Sequence, residues 1–332
     1  MKLLRILAAL GLCFGLAAPA VAQQERTIRF GHLNNTDHPV SMGVKRFAEI
    51  LAAKSGGKMK VQEFPANQLG NELQQQSALQ GGVQQMSAPA TTSLAGVVKE
   101  FGLIDFPFSV ASFEQADQLL DGPLGQALIA KLPEKGLVAL GYWDLGFRNV
   151  TNSKHPITRP EDLQGLKIRV IPNPVFLETF KAFKANPVPL PFAELYGALE
   201  SKAVDGQENP FNTILSSKFY EVQKYLTVTN HVYSPWIVTV SKRWWDGLSQ
   251  TEQNILLEAA KKARDFERKD TREEAARALA ELKDKGMQIN EVEPTEVQRM
   301  REQAAPAIQK VVETVGQQLF DQVQTEAEKA AL

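Results

Sequence analysis

A two-lobed α/β fold is predicted, and three observations carry it. Strand-like and helix-like periodicities alternate from Thr27 to Ser241, the 332 residues are enough to bury two hydrophobic cores, and the remainder of the chain is almost wholly helical. Repeated βα alternation is the pattern of a largely parallel sheet covered by helices. Two lobes joined by extended segments accommodate the order of the elements, and no fixed-period repeat competes with that reading.

The strand at 27–33 alternates around Ile28, Phe30 and His32. After Asp37-His38-Pro39, helical spacing through Val44, Phe47, Ile50 and Leu51 predicts a helix that Ser55-Gly56-Gly57 ends. In the next strand, 58–64, Met59, Val61 and Glu63 oppose Lys60, Gln62 and Phe64, so its inner face is ambiguous. A helix at 71–79 leads to Gly81-Gly82 and a short strand near 83–87. Ile104-Asp105-Phe106-Pro107-Phe108 reads as an apolar loop before helices at 113–120 and 124–132, and a strand at 137–143 runs toward Arg148. Pro160 opens a helical turn, 167–170 is a short strand, and 173–184 and 192–202 fit helices. Val204-Asp205-Gly206-Gln207-Glu208-Asn209-Pro210 reads as a polar turn, with strands at 226–229 and 236–241. Ser249 and Glu252 form a capping box for a helix with Ile255, Ala259, Ala263 and Phe266 on one face, running, bent or broken, to Lys285. Gly286 stops it, 287–292 is a small edge strand, and Pro294 starts a last helix toward Leu319 and Phe320. The heavy charge on these helices reads as solvated surface.

Lys2 and Arg5 precede an apolar stretch at 3–16, and Ala20-Val21-Ala22 offers the small residues a leader peptidase accepts, so residues 1–22 read as a cleaved secretion signal. That stretch and every later one fall short of the roughly 20 apolar residues of a membrane span, so the mature chain is expected to be soluble. Leu10-Gly11-Leu12-Cys13 carries a bulky residue where lipoprotein processing wants a small one, which argues against a lipid anchor. Cys13 is the single cysteine, so the 310 residues left after cleavage have neither disulfide nor thiolate chemistry. Losing Lys2 and Arg5 takes the formal charge from −1 to −3, and the lack of a basic excess argues against a nucleic-acid partner.

The most informative stretch runs from Tyr142 to Pro210. It sets Arg148 and Arg169 beside strand-like apolar residues and ends in the polar turn. A guanidinium offers a planar fork of donors, so an arginine at the inner end of a strand suits a carboxylate clamp. Taken without further context, an arginine between Ile168 and Val170 is equally a structural ion pair. Neither a Gly-x-Ser-x-Gly nucleophile nor a phosphate-cradling glycine loop is present, and His32, His38, His155 and His231 lack metal-ligand spacing. Asp205 and Glu208, three apart around a glycine, suit caps or arginine partners better than a hydrolytic pair. The expectation is a binding protein and not an enzyme, with no cofactor and no metal.

Four ordered segments then resemble one family. Gly165-Leu166-Lys167-Ile168-Arg169-Val170, Asn186-Pro187-Val188-Pro189-Leu190-Pro191-Phe192-Ala193-Glu194-Leu195-Tyr196, Ala203-Val204-Asp205-Gly206-Gln207-Glu208-Asn209-Pro210 and Phe219-Tyr220-Glu221-Val222-Gln223-Lys224-Tyr225 are similar to the DctP-like periplasmic solute-binding subunits of tripartite ATP-independent periplasmic (TRAP) transporters. The resemblance implies a periplasmic-binding-protein clamshell whose strands cross twice between the lobes and whose long C-terminal helix spans both. It implies lobe I at 23–145 plus about 234–275, lobe II at 146–233 plus about 276–332, periplasmic location, and delivery of a small organic acid to TRAP membrane permease subunits by a monomer. It places Arg169 as the principal carboxylate-binding arginine, Arg148 as the second, Asn209 as a pocket amide and Phe192 as the aromatic residue packed on the ligand. His32, Gln68, Thr91, Thr92, Phe106, Trp143, Asn173, Tyr233 and Trp236 are expected to border the cleft, each with a core or capping alternative. Large aromatics restrict the pocket to a small acid, and His32 and the threonines suit hydroxyls. The expected ligand is therefore a C4–C6 hydroxylated monocarboxylate, resembling pantoate or erythronate. C4-dicarboxylate binding and a ligand-reporting receptor are the alternatives.

Overall fold

The computed structural model describes residues 25–318, 320, 321 and 325. The leader at 1–22 and Leu319, toward which the last helix was expected to run, lie outside them. The chain enters through β1 (Arg26–Gly31), α1 (Pro39–Lys54), β2 (Met59–Phe64), α2 (Glu72–Gln80) and β3 (Met86–Ser87). Two 3-10 segments, Thr91–Gly96 and Lys99–Asp105, the second taking in Ile104 and Asp105 of the expected apolar loop, lead to α3 (Phe113–Asp121) and α4 (Pro123–Ile129). Next come β4 (Leu137–Asn152), β5 (Lys167–Val170), α5 (Pro174–Ala182), β6 (Asn186–Pro189), α6 (Leu195–Glu200), β7 (Gly206–Asn209), α7 (Phe211–Ser216) and β8 (Tyr225–Ser241). The chain closes with α8 (Lys242–Trp245), α9 (Gln250–Asp284), β9 (Gln288–Glu291) and α10 (Pro294–Val315).

All nine strands join one sheet in the order β2-β1-β3-β8-β4-β7-β5-β6, with β9 also on β8. Its spine is the antiparallel pair of β4 and β8, 16 and 17 residues long, which runs through both lobes. The parallel strands β2, β1 and β3 flank one end of that pair. At the other end β7 pairs with β4 and carries β5 and β6, while β9 runs parallel to β8. The register of the long pair slips between Ala139 and Gly141, Asp144 and Gly146, and Arg148 and Val150. At the second slip Gly146 holds a φ of +115°, a conformation that a residue with a Cβ rarely adopts. The sheet thus changes direction just ahead of Arg148.

Each end of the sheet is covered on both faces. In the first lobe Tyr142 and Ile237 face the cluster built with Leu119, Leu120 and Leu124 of α3 and α4. Their strand neighbours Trp143, Trp236 and Val238 face the cluster of Val44 and Phe47 of α1 and Ala259 and Ala263 of α9. In the second lobe Ile168, Val170, Phe176 and Phe180 pack with Met300 and Ala304 of α10, and Leu195, Ile214, Phe219 and Leu226 pack with Leu282 of α9. Helix α9 therefore buries its start in one lobe and its end in the other. Helix α10 does the same, because its Val311 and Val312 join the Tyr142 cluster.

Several elements differ from expectation. The strands expected at 226–229 and 236–241 are one continuous β8, because the polar segment between them is paired with β4. The supposed polar turn contains β7, all four of whose residues are buried. Helix α9 is unbroken over 35 residues, capped by the Ser249–Glu252 box, but Phe266 is 39% exposed and the buried face runs through Leu256, Ala260 and Glu267. Its charge is not all solvated. Arg268 and Arg272 pair with Asp117 and Asp144, and Arg268 also with Asp121, tying the helix to α3 and β4. Among the described residues no helix is long and apolar enough to cross a membrane.

Candidate functional site

Three adjacent strands bring the expected anion-binding residues together. Arg148 lies on β4, and Asn209 ends β7, where it faces Asn149 of β4 in register. Arg169 lies on β5, paired with Gln207 of β7. Alternation along β5 sends Ile168 and Val170 into the core and leaves Arg169 for the opposite face. Phe192 follows β6. The other lobe supplies Leu33 and Asn34 after β1, Glu72 at the start of α2, Ala90 after β3, and Trp236 of β8. Together these residues line a small cavity between the lobes.

Both arginines are held by the protein and left incomplete. Arg148 donates through Nε and Nη2 to the Glu208 carboxylate, and through Nη2 to the Glu208 carbonyl at 2.6 Å and to Asn209 Oδ1 at 3.2 Å. Burial opposes ionisation of Glu208, but Arg148 and His231 outweigh it and hold the carboxyl below its usual pKa. Arg169 donates through Nε and Nη2 to the Leu190 carbonyl at 2.9 and 2.7 Å and stands 6.0 Å from the Phe192 ring centroid. Burial pushes its pKa down to about 10, against the opposing pull of Glu72 and Glu208, so the guanidinium stays charged at neutral pH. Nη1 of each arginine and Nε1 of Trp236 are buried without a partner among the described residues. A buried donor left unpaired is costly. Three of them lining one cavity make a site that gains most from an acceptor-rich anion.

The lobes touch around this cavity. Asn34 and His38 reach Thr213 Oγ1 at 3.5 and 3.1 Å, Asn35 donates to the Ser216 carbonyl at 2.7 Å, and the Phe192 amide reaches Glu72 Oε1 at 3.4 Å. On another side Asn173 caps α5 and donates to the Thr92 carbonyl at 2.9 Å and to Asp105 Oδ2 at 3.0 Å. This is a closed arrangement of the clamshell.

Of the residues expected at the cleft, Arg148, Arg169, Asn209, Phe192 and Trp236 line the cavity. His32 bonds Glu63 at 2.9 Å and lines an adjoining cavity. Thr92 donates to Asp105 at 2.6 Å and, with Asn173, belongs to the contact between the lobes. Thr91 lies 3.5 Å from the Pro235 carbonyl. Trp143 packs against Phe30, Phe106 against Phe320, and Tyr233 donates to Asp144 at 2.5 Å, all three in the core. Gln68 is exposed outside the cavity. Sequence reasoning missed Asn34, Glu72 and Thr213. The Asn71–Gln74 capping box places Glu72 in the first turn of a helix, but nothing local signals that this turn meets the second lobe.

Fold and cavity are those of a two-lobed α/β clamshell with unpartnered donors facing a cavity between its lobes. Residues 30–314 match the DctP model, described as bacterial extracellular solute-binding protein, family 7. The chain is 38% identical over 276 residues to the 2,3-diketo-L-gulonate-binding periplasmic protein YiaO of Escherichia coli, covering 83% of this chain and 84% of that one. Among solved structures, the sugar acid binding protein DctPAm from Advenella mimigardefordensis in complex with galactonate superposes with a TM-score of 0.91 at 42% identity, covering 93% of this chain and 99% of that one. A TRAP periplasmic solute-binding protein from Polaromonas sp. JS666 bound to D-erythronate gives 0.87 at 36% identity, covering 90% and 98%. The chain belongs to the DctP-like family of TRAP periplasmic solute-binding proteins. It is a non-catalytic transport receptor of the periplasm that delivers a small organic acid to a TRAP permease.

Proposed function

We propose that the captured acid is a hydroxylated monocarboxylate of four to six carbons, in the class of pantoate and erythronate. One observation carries this reading: Arg148 Nη1, Arg169 Nη1 and Trp236 Nε1 are all donors, all buried, all unpartnered among the described residues, and all line one cavity. They suit a single carboxylate with an adjacent oxygen. Phe192 and Trp236 offer apolar surface to the carbon chain. The relatives solved with galactonate and D-erythronate support the same class. The proposal also takes residues 1–22 as a cleaved leader and the mature chain as a monomer. Its two lobes, 23–145 with about 234–275 and 146–233 with about 276–332, hinge where β4 and β8 cross between them. A thermal-shift panel of hydroxy acids, sugar acids, 2-oxo acids and dicarboxylates, with mass spectrometry of the recovered ligand, tests it. Hydroxy monocarboxylates should stabilise most and return unchanged. A larger shift with succinate, or turnover of the bound acid, would contradict it.

A further inference from the structure

The donors of the cavity face one residue of the opposite character. Glu72 is the first residue of α2, part-buried, and lines the same cavity as Arg148 and Arg169. Among the described residues it makes no ion pair within 4 Å, and it accepts a 3.4 Å contact from the Phe192 amide. Its carboxylate is therefore free to accept further hydrogen bonds. Glu72 and Leu33 also line a second, small cavity, so the two cavities share a wall. The second is bordered by His32, Gln75 and Ser87 together with the apolar Leu79, Leu94 and Leu137, and His32 Nδ1 is buried and unpartnered among the described residues.

We propose that Glu72 sets the ligand preference of this site by accepting hydrogen bonds from hydroxyls on the ligand tail and repelling a second carboxylate. The inference rests on the reading of the ligand as a hydroxylated monocarboxylate and names the residue that enforces it. The carboxylate end of the ligand takes the three donors, which leaves the tail to meet an acceptor-only group carrying negative charge. A hydroxyl can donate to that group, whereas a second carboxylate has no proton to give and carries the wrong sign. Discrimination of this kind comes from building repulsion against the competitor as well as attraction for the ligand.

Titration calorimetry with D-erythronate, galactonate and succinate on the wild type, Glu72→Gln and Arg169→Ala tests this. Glu72→Gln keeps the shape and an oxygen for the Phe192 amide but loses the charge. It should bind both hydroxy acids about tenfold more weakly, the loss of one charge-assisted bond, and succinate several-fold more tightly. Arg169→Ala should lose affinity for all three. If Glu72 serves only the contact with Phe192, which Gln also makes, Glu72→Gln leaves all three affinities nearly unchanged, and the proposal is overturned. A wild type that favours succinate overturns both the role of Glu72 and the ligand reading beneath it. A wild type that favours hydroxy acids by a ratio that Glu72→Gln leaves unchanged overturns the role of Glu72 alone.

Discussion

Arg169 has committed Nε and Nη2 to the Leu190 carbonyl, so its remaining nitrogen is placed by the protein before any ligand arrives. Removing the fork in Arg169→Ala should cost about 2–5 kcal/mol of binding. Arg169→Lys should recover only part, because a point charge cannot hold Leu190 and a carboxylate in one plane. Calorimetry on folded variants checks both, and near-parental affinity of the Ala variant would make Arg169 purely structural. A second residue, Asp105, carries a pH dependence. Burial raises its pKa from 3.8 to about 7, although hydrogen bonds from Thr92 and Asn173 and the charge of Arg148 act in the opposite direction. The folded chain then keeps a proton that the unfolded chain releases, so Asp105 contributes stability that is complete below about pH 4 and is lost as pH rises through about 7. Asp105→Asn removes this dependence. Denaturant unfolding should therefore show the variant gaining on the wild type between pH 5 and 7.5, and a constant difference would contradict the assignment. That Arg169 and Asn209 line the cavity was legible because they sit in segments with a family pattern, and Arg148 stood out as a second arginine beside strand-like residues. Asp105 and Glu72 were not legible, because one reads locally as part of an apolar loop and the other as an ordinary residue at a helix start, and each meets its partner in the opposite lobe only in the fold.

The elements that escaped the sequence are those whose polarity is answered by tertiary partners. Gly206-Gln207-Glu208-Asn209 has the composition of a turn, yet Glu208 is neutralised by Arg148, and Gln207 donates to Thr151 Oγ1 at 2.9 Å and accepts from Asn209. Similarly, β4 and β8 appeared as shorter strands because bulges interrupt their alternation, and Pro235 breaks the pattern of β8 while still facing Asp144. The charged run of α9 looked like surface because the acids that pair with Arg268 and Arg272 lie more than 120 residues away. Elements with regular spacing, such as β1, α1 and β5, were legible at once. Strand β7 offers a direct test, since a Cβ on Gly206 would lie 2.2 Å from the Thr151 carbonyl. Gly206→Ala should force β7 from β4, destabilise the protein by about 1–3 kcal/mol, and weaken ligand binding by displacing Glu208 and Asn209. Chemical denaturation paired with calorimetry checks this. Unchanged stability would mean that the β4–β7 pairing yields at no cost.

At the scale of the whole molecule, two crossing strands and two lobe-spanning helices connect bodies that otherwise meet through scattered hydrogen bonds around the cavity. The α/β class and two lobes followed from alternation and length, whereas the single continuous sheet and the face-to-face placement of Glu72 and Arg169 required the fold. A ligand favours closure only through contacts made better in the closed state, and a cavity with donors from both lobes supplies such contacts. Arg148 and Arg169 stand on one side, with Trp236 and Glu72 across from them. The central claim is that this donor set receives the carboxylate of a hydroxylated acid. A crystal structure of the complex with the hydroxy monocarboxylate that binds most tightly tests it most directly. Carboxylate oxygens are expected about 3 Å from Nη1 of both Arg148 and Arg169, with a tail hydroxyl at similar distance from Glu72. A carboxylate seated away from both arginines, or a ligand held outside this cavity, would contradict it.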